Sequence, residues 1–143
     1  MVNTEEQAIS LHERKAEGKP IVLIVDDNPE YARLFELLAD RLGIAVHVVN
    51  SCADAIEALQ LYRFDIIIMD WVMPDVDGPT CTRKIRIIEK KTDSHTAVIG
   101  ISGHENATYA ACIESGMDDY LKIPFTLEEL NDKLTQWLEK RVE

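Results

Sequence analysis

From residue 20 onward, short β-branched apolar runs alternate with stretches in which apolar residues recur every three or four positions. Ile21–Val25 is an unbroken apolar run, the pattern of a parallel strand covered on both faces. Asn28 and Pro29 then suit the cap and first position of a helix. Phe35, Leu38, Ala39 and Leu42 form one apolar stripe on it, and Gly43 ends it. Ala45–Val49 is a second strand, and Ser51 can cap a helix running to about Tyr62. Ile66–Met69 is a third strand, followed by a helix over Pro79–Lys90 with Cys81, Ile85 and Ile88 inward. Ala97–Ile101 is a fourth strand, followed by a helix over Glu105–Ser115 that Gly116 closes. Asp119–Ile123 is a shorter fifth strand. Thr126 and Glu129 form a capping box for a last helix, with Leu127, Leu130, Leu134 and Leu138 toward the core.

Five strand–helix repeats imply an α/β fold: a parallel sheet joined by right-handed crossovers, with helices on both faces. At this size the expected sheet is flavodoxin-like, with strand order 2-1-3-4-5. Residues 1–18 stand apart from residues 19–143. Thr4 and Gln7 make another capping box and Gly18 could end a helix begun at Glu5. Its apolar content is thin, so it reads either as a solvated arm or linker, or as a helix that packs on a partner.

Composition narrows the function. A chain of 143 residues fits one domain with a short extension, and 46% hydrophobic with 29% charged residues is ordinary for a soluble globular protein. No apolar run is long enough to span a bilayer, and no secretory leader is evident, so a cytoplasmic location is expected. The formal net charge of −11 would repel phosphate backbones, which argues against direct nucleic-acid binding. Cys52, Cys81 and Cys112 are odd in number and lack C-x-x-C spacing. They read as small core residues of a reducing compartment.

Ligands of open parallel sheets bind beyond the carboxyl ends of the strands, where the strand order reverses. For order 2-1-3-4-5 that point lies between strands one and three, which end in Asp26-Asp27 and Asp70. Three carboxylates this close need a proton or a cation, and an all-oxygen site suits Mg²⁺. Taken singly, Asp27 could precap the first helix, Asp70 could be a strand-end turn residue, and Ser102 could cap the fourth helix. Their joint placement at the ends of central strands favours a site.

The segments IVLIVDD (Ile21–Asp27), MDWVMPDVDG (Met69–Gly78) and GMDDYLKIPF (Gly116–Phe125) resemble those of receiver domains of two-component signalling. The likeness covers nearly all of Lys19–Lys140, and its wording is closest to receivers of hybrid sensor kinases. The resemblance implies that Asp70 accepts a phosphoryl group from a histidine kinase or histidine phosphotransfer protein. It implies that Asp27, Asp70 and the backbone carbonyl of Val72 hold Mg²⁺, with Asp26 acting through a metal-bound water. Ser102 would hydrogen-bond the phosphoryl group, Gly103 would leave it room, and Tyr120 would change rotamer with phosphorylation state. Val72 and His104 would flank the path of an attacking water, and Trp71 would border the docking surface. The chain would then be a signalling receiver that assists its own phosphorylation and dephosphorylation rather than an enzyme with an external substrate. With no output domain after Glu143, its effect would pass through a downstream protein target.

One position departs from the family pattern. Where a lysine usually precedes the proline after strand five stands Ile123, with Lys122 one residue earlier. Side chains of neighbouring strand residues point to opposite faces, so the displacement is not conservative. Either the site lacks its cation, or the loop is remodelled so that Lys122 reaches in. The alternative to a phosphoacceptor is therefore a degenerate receiver serving as an interaction scaffold. A magnesium phosphatase would want an Asp-x-Asp nucleophile motif, and a nucleotide-binding domain a Gly-rich phosphate loop; both are absent.

Overall fold

The structure, a computed structural model, describes residues 18–140. The helix expected within residues 1–18 lies outside the described residues, apart from Gly18. Five strands, β1 (Ile21–Val25), β2 (Ala45–Val49), β3 (Ile66–Asp70), β4 (Ala97–Ser102) and β5 (Asp119–Lys122), form one parallel sheet in the order β2-β1-β3-β4-β5. The connecting helices are α1 (Pro29–Leu42), α2 (Cys52–Leu61), α3 (Gly78–Lys90), α4 (Tyr109–Ser115) and α5 (Leu127–Lys140).

Alternation along the central strands divides the core in two. Leu23, Val25, Ile67 and Met69 face α2, α3 and α4 through Cys52, Ala55, Ala58, Cys81, Ile85 and Cys112. Val22, Ile24, Ile66 and Ile68 face α1 and α5 through Phe35, Ala39, Leu130 and Leu134. This two-sided burial explains why β1 and most of β3 are apolar at every position.

Side chains cap the helices as expected. Asn28 and Ser51 accept backbone N–H groups from Glu30 and Asp54, and Thr126 and Glu129 exchange bonds at 3.0 Å. Gly43 and Gly116 close α1 and α4 in the left-handed conformation.

Three expectations are corrected. The fourth helix begins at Tyr109, not Glu105: Thr108 caps it by accepting the Ala111 N–H. Residues 104–107 instead form a turn in which His104 accepts from Asn106 and Ala107. Leu127 is exposed, and Trp137 packs against the α1/α5 core in addition to Leu130, Leu134 and Leu138. Cys52 and Cys81 form a disulfide, leaving Cys112 as the free and buried thiol.

Two polar clusters tie the helices to the sheet. The Arg86 guanidinium on α3 donates to the carbonyls of Gly116 and Thr96 and to the carboxylates of Glu89 and Asp118. Asp119 at the start of β5 accepts from Lys133 and from the Trp137 indole of α5. Burial alone would raise the Asp119 pKa, but these donors and the Tyr120 N–H hold it below the ordinary carboxylate range.

Candidate functional site

β1 and β3 are neighbours, in register from Val22↔Ile66 to Val25↔Met69. Their carboxyl ends therefore deliver Asp26, Asp27 and Asp70 to one crevice, where carboxylate oxygens of all three lie within 4.8 Å of one another. Asp26 is buried, Asp70 half-buried and Asp27 exposed. The Asp26 carboxylate accepts the Asn28 N–H at 2.8 Å, and its own N–H donates to Val49 of β2. The turn leaving β1 is thus fixed from both sides.

The electrostatics follow from that crowding. Burial, the Asp26 charge and a hydrogen bond shared with Asp26 push the Asp70 pKa up to about 7. A backbone N–H from Val72 and the Asp27 charge act in opposite directions on it. Burial also raises Asp26, against the opposing pull of the Asn28 N–H and the Asp70 hydrogen bond. An all-oxygen, strongly negative set that holds a proton near neutrality fits a hard divalent cation, which could take that proton's place.

The other residues singled out from the sequence surround this cluster. Asp70 pairs with Ile101 of β4, so Ser102 lies one residue beyond on the adjoining strand. Its buried hydroxyl oxygen accepts the His104 N–H at 2.9 Å, leaving its own hydrogen free to donate. Ser102 does not cap α4; Thr108 does. Gly103 faces Ile123, and an added Cβ would stand 3.4 Å from the Ile123 carbonyl. The Tyr120 hydroxyl donates to the Ser102 carbonyl at 2.6 Å, and its ring packs half-buried on the α2/α3/α4 core. Val72 and His104 are exposed, while Trp71 packs partly into the same core.

The displaced lysine is not brought to the acids. Lys122 ends β5 exposed, whereas Ile123 packs into the α1/α5 core with its N–H on the Ser102 carbonyl. The remodelled loop that would carry Lys122 inward is not what the structure has.

Sequence reasoning assigned no role to Gly78, although it closes the most distinctive segment. Its N–H donates to the Trp71 carbonyl, and a Cβ there would collide with the main-chain carbonyl of Asp70. Only glycine lets α3 start against the end of β3. The signal was the Asp77-Gly78 pair itself, a helix cap followed by the smallest residue.

Comparison with known proteins agrees with this geometry. The family model described as response regulator receiver domain matches residues 22–135. Among curated relatives, the transcription factor Skn7 of Saccharomyces cerevisiae is 34% identical over 122 residues, covering 85% of this chain and 19% of Skn7. The probable histidine kinase 6 of Oryza sativa is 37% identical over 127 residues, covering 76% of this chain and 13% of that kinase. The chain therefore spans less than a fifth of the length of these relatives. Among solved structures, the receiver domain of sensor histidine kinase PA1611 from Pseudomonas aeruginosa has a TM-score of 0.75 at 30% identity. That alignment covers 85% of this chain and 98% of that one. The PA1611 structure holds a magnesium ion coordinated in its active-site cleft.

Proposed function

Given that the chain belongs to the response regulator receiver family, we propose that it is a phosphorylation-controlled receiver with Asp70 as acceptor. The observation that carries this reading is the convergence of Asp26, Asp27 and Asp70 at the β1/β3 crevice. Asp27, Asp70 and the Val72 carbonyl would hold Mg²⁺ directly, and Asp26 through water. Bound there, the cation would offset negative charge on the transferring phosphoryl oxygens. An Asp70 carboxylate oxygen forms the new bond to phosphorus while the phosphorus bond to the donor's histidine nitrogen breaks. Ser102 donates its free hydroxyl hydrogen to the phosphoryl group, and Gly103 leaves that group room.

Movement of Ser102 toward the phosphoryl group would disturb its carbonyl, which holds the Tyr120 hydroxyl. That couples the site to the outer face formed by α4, β5 and α5. Val72 and His104 border the approach of a hydrolytic water, and Trp71 borders the surface where the donor docks. The donor would be a histidine kinase or histidine phosphotransfer protein, and the output a downstream protein rather than nucleic acid. Among the described residues, no helix is long and apolar enough to cross a membrane. The complete set of acids disfavours the degenerate-scaffold reading.

Incubation with acetyl phosphate tests the proposal by intact mass. A single phosphoryl adduct is expected with Mg²⁺ and none after chelation; an adduct indifferent to Mg²⁺ refutes the metal's role. A proton on Asp70 competes with the cation, so Mg²⁺ binding should weaken as pH falls through about 7. Near pH 5.5, thermal stabilisation by Mg²⁺ should be a small fraction of that at pH 8. Equal stabilisation at both would show that Asp70 is not a ligand.

The Ile123 substitution removes a cation from the phosphorylated state. One charge-assisted contact is worth about 1.5–3 kcal/mol. Ile123→Lys should therefore hold the phosphoryl state more strongly and couple it more tightly to the α4–β5–α5 face. Amide chemical shifts on that face, compared with and without a phosphoryl mimic, measure the coupling; unchanged coupling in the variant removes this reading of Ile123.

A further inference from the structure

Cys52 and Cys81 lie 29 residues apart, in different helices. Their Cα atoms are 5.6 Å apart, inside the range a disulfide spans without backbone movement. Each sits in the first turn of its helix, and each helix leaves one wall of the acidic crevice. On one side, the end of β2 accepts the Asp26 N–H through Val49, and Ser51 then caps α2 immediately before Cys52. On the other, Gly78 is held to Trp71 and abuts Asp70, and Asp77 caps α3 four residues before Cys81. A bond between the two sulfurs ties the wall that positions Asp26 to the wall that positions Asp70. Cys112 lies apart on α4, against Gly100.

We infer that Cys52 and Cys81 form a reversible covalent clasp, closed by thiol–disulfide exchange with a low-molecular-weight disulfide, that stiffens the acidic crevice. Cys52, 4% exposed as a residue where Cys81 is 0%, is the one an incoming disulfide reaches first. Its thiolate displaces one thiolate from the reagent and forms a mixed disulfide. The Cys81 thiolate then attacks the Cys52 sulfur and releases the second thiol. One protein disulfide and two small thiols replace one protein dithiol and one small disulfide. In a reducing compartment such a bond is transient and reports the thiol–disulfide balance. The closed clasp limits relative motion of the 71–77 loop and the turn after β1, so the acids need less ordering to receive a cation.

The test uses the whole chain in buffers of varied reduced-to-oxidised glutathione ratio, quenched with iodoacetamide in denaturant and read by intact mass. Reduced protein should take three labels, one for each cysteine of the sequence. Oxidised protein should take one, on Cys112, with a linked peptide joining Cys52 and Cys81. Three labels at every ratio would overturn the clasp, as would a linkage through Cys112. Closing a loop of this length should raise the melting temperature by about 10 °C. The Cys112→Ala variant should keep that difference between oxidised and reduced forms, and Cys81→Ala should lose it. Comparing oxidised with reduced parent needs no substitution and survives any folding defect of the variants. The effect on the crevice rests on the proposed metal role and is read separately by Mg²⁺ titration, in which oxidised protein should bind about three-fold more tightly. Equal affinity, with the disulfide formed and Mg²⁺ still bound, would overturn the stiffening alone. Loss of Mg²⁺ binding in both forms would overturn the metal reading while leaving the clasp standing.

Discussion

Asp70→Asn is expected to abolish the phosphoryl adduct and, at the same time, to make the metal-free protein more stable. The first effect follows because an amide cannot serve as the attacking carboxylate. The second follows from the burial of Asp70 and the neighbouring Asp26 charge. In the folded chain Asp70 keeps its proton up to about pH 7, whereas an ordinary carboxyl loses it near 3.8. Between those values the folded state binds more protons than the unfolded chain, so the parent loses stability as pH rises through that window. Asparagine is close in shape to the protonated acid, can still donate to Asp26, and has no proton to lose. The variant should match the parent near pH 4 and exceed it at pH 8 in chelator by on the order of 2–4 kcal/mol. Urea unfolding at the two pH values measures the difference. A gap that does not widen with pH would mean that burial and the neighbouring acids do not hold a proton on Asp70.

The largest purely structural loss is expected from Arg86→Ala. The Arg86 guanidinium holds two carbonyls and two carboxylates at once, and its side chain and those of Glu89 and Asp118 are all less than one-fifth exposed. Asp118 also accepts the Val98 N–H at the start of β4, and Glu89 accepts the Thr96 N–H. Removing the arginine takes the guanidinium from both carboxylates, which have little access to water, and leaves His95 as the ring partner of Asp118. Breaking a buried ion pair from one side costs about 3–5 kcal/mol, a large part of a typical domain's stability. Arg86→Met, which keeps the stem, should fall nearly as far, because charge and hydrogen bonding rather than volume are lost. A urea midpoint within error of the parent for either variant would show that Glu89 and Asp118 are satisfied without Arg86.

The order of elements and the convergence of the acids were legible because both depend on local pattern. An apolar five-residue run, a cap and an apolar stripe can each be read in place, and topology then carries Asp26, Asp27 and Asp70 together. The misjudged features depend on bonding that spacing does not show, local in one case and between distant residues in the others. Glu105 was compatible with a helix start, but Ser102 and His104 accept the His104 and Asn106 N–H groups and hold residues 104–107 in a turn. Leu127 satisfied helical spacing, yet the indole of Trp137 reaches Asp119 and helps set which face of α5 meets the sheet. The pairing of Cys52 with Cys81 has no sequence signature, since a separation of 29 residues means nothing until two helix starts are placed side by side. The displaced lysine could be read only as a choice between two outcomes, and the core packing of Ile123 decides it.

The two-sided burial of β1 and β3 also governs how the protein behaves once it is heated. A strand with one wet face carries polar residues that discourage pairing with foreign chains; Ile21–Val25 and Ile66–Met69 carry none. Released from the sheet, each is an uncharged, β-branched segment free of proline and glycine, the composition that stacks into cross-β assemblies. The net charge of −11 keeps whole chains apart, but it lies outside these segments and is screened by salt. Thermal unfolding should therefore end in aggregation, and apparent melting temperatures should move with scan rate and ionic strength. Equilibrium comparisons between variants belong in urea, which solvates these segments as they are exposed.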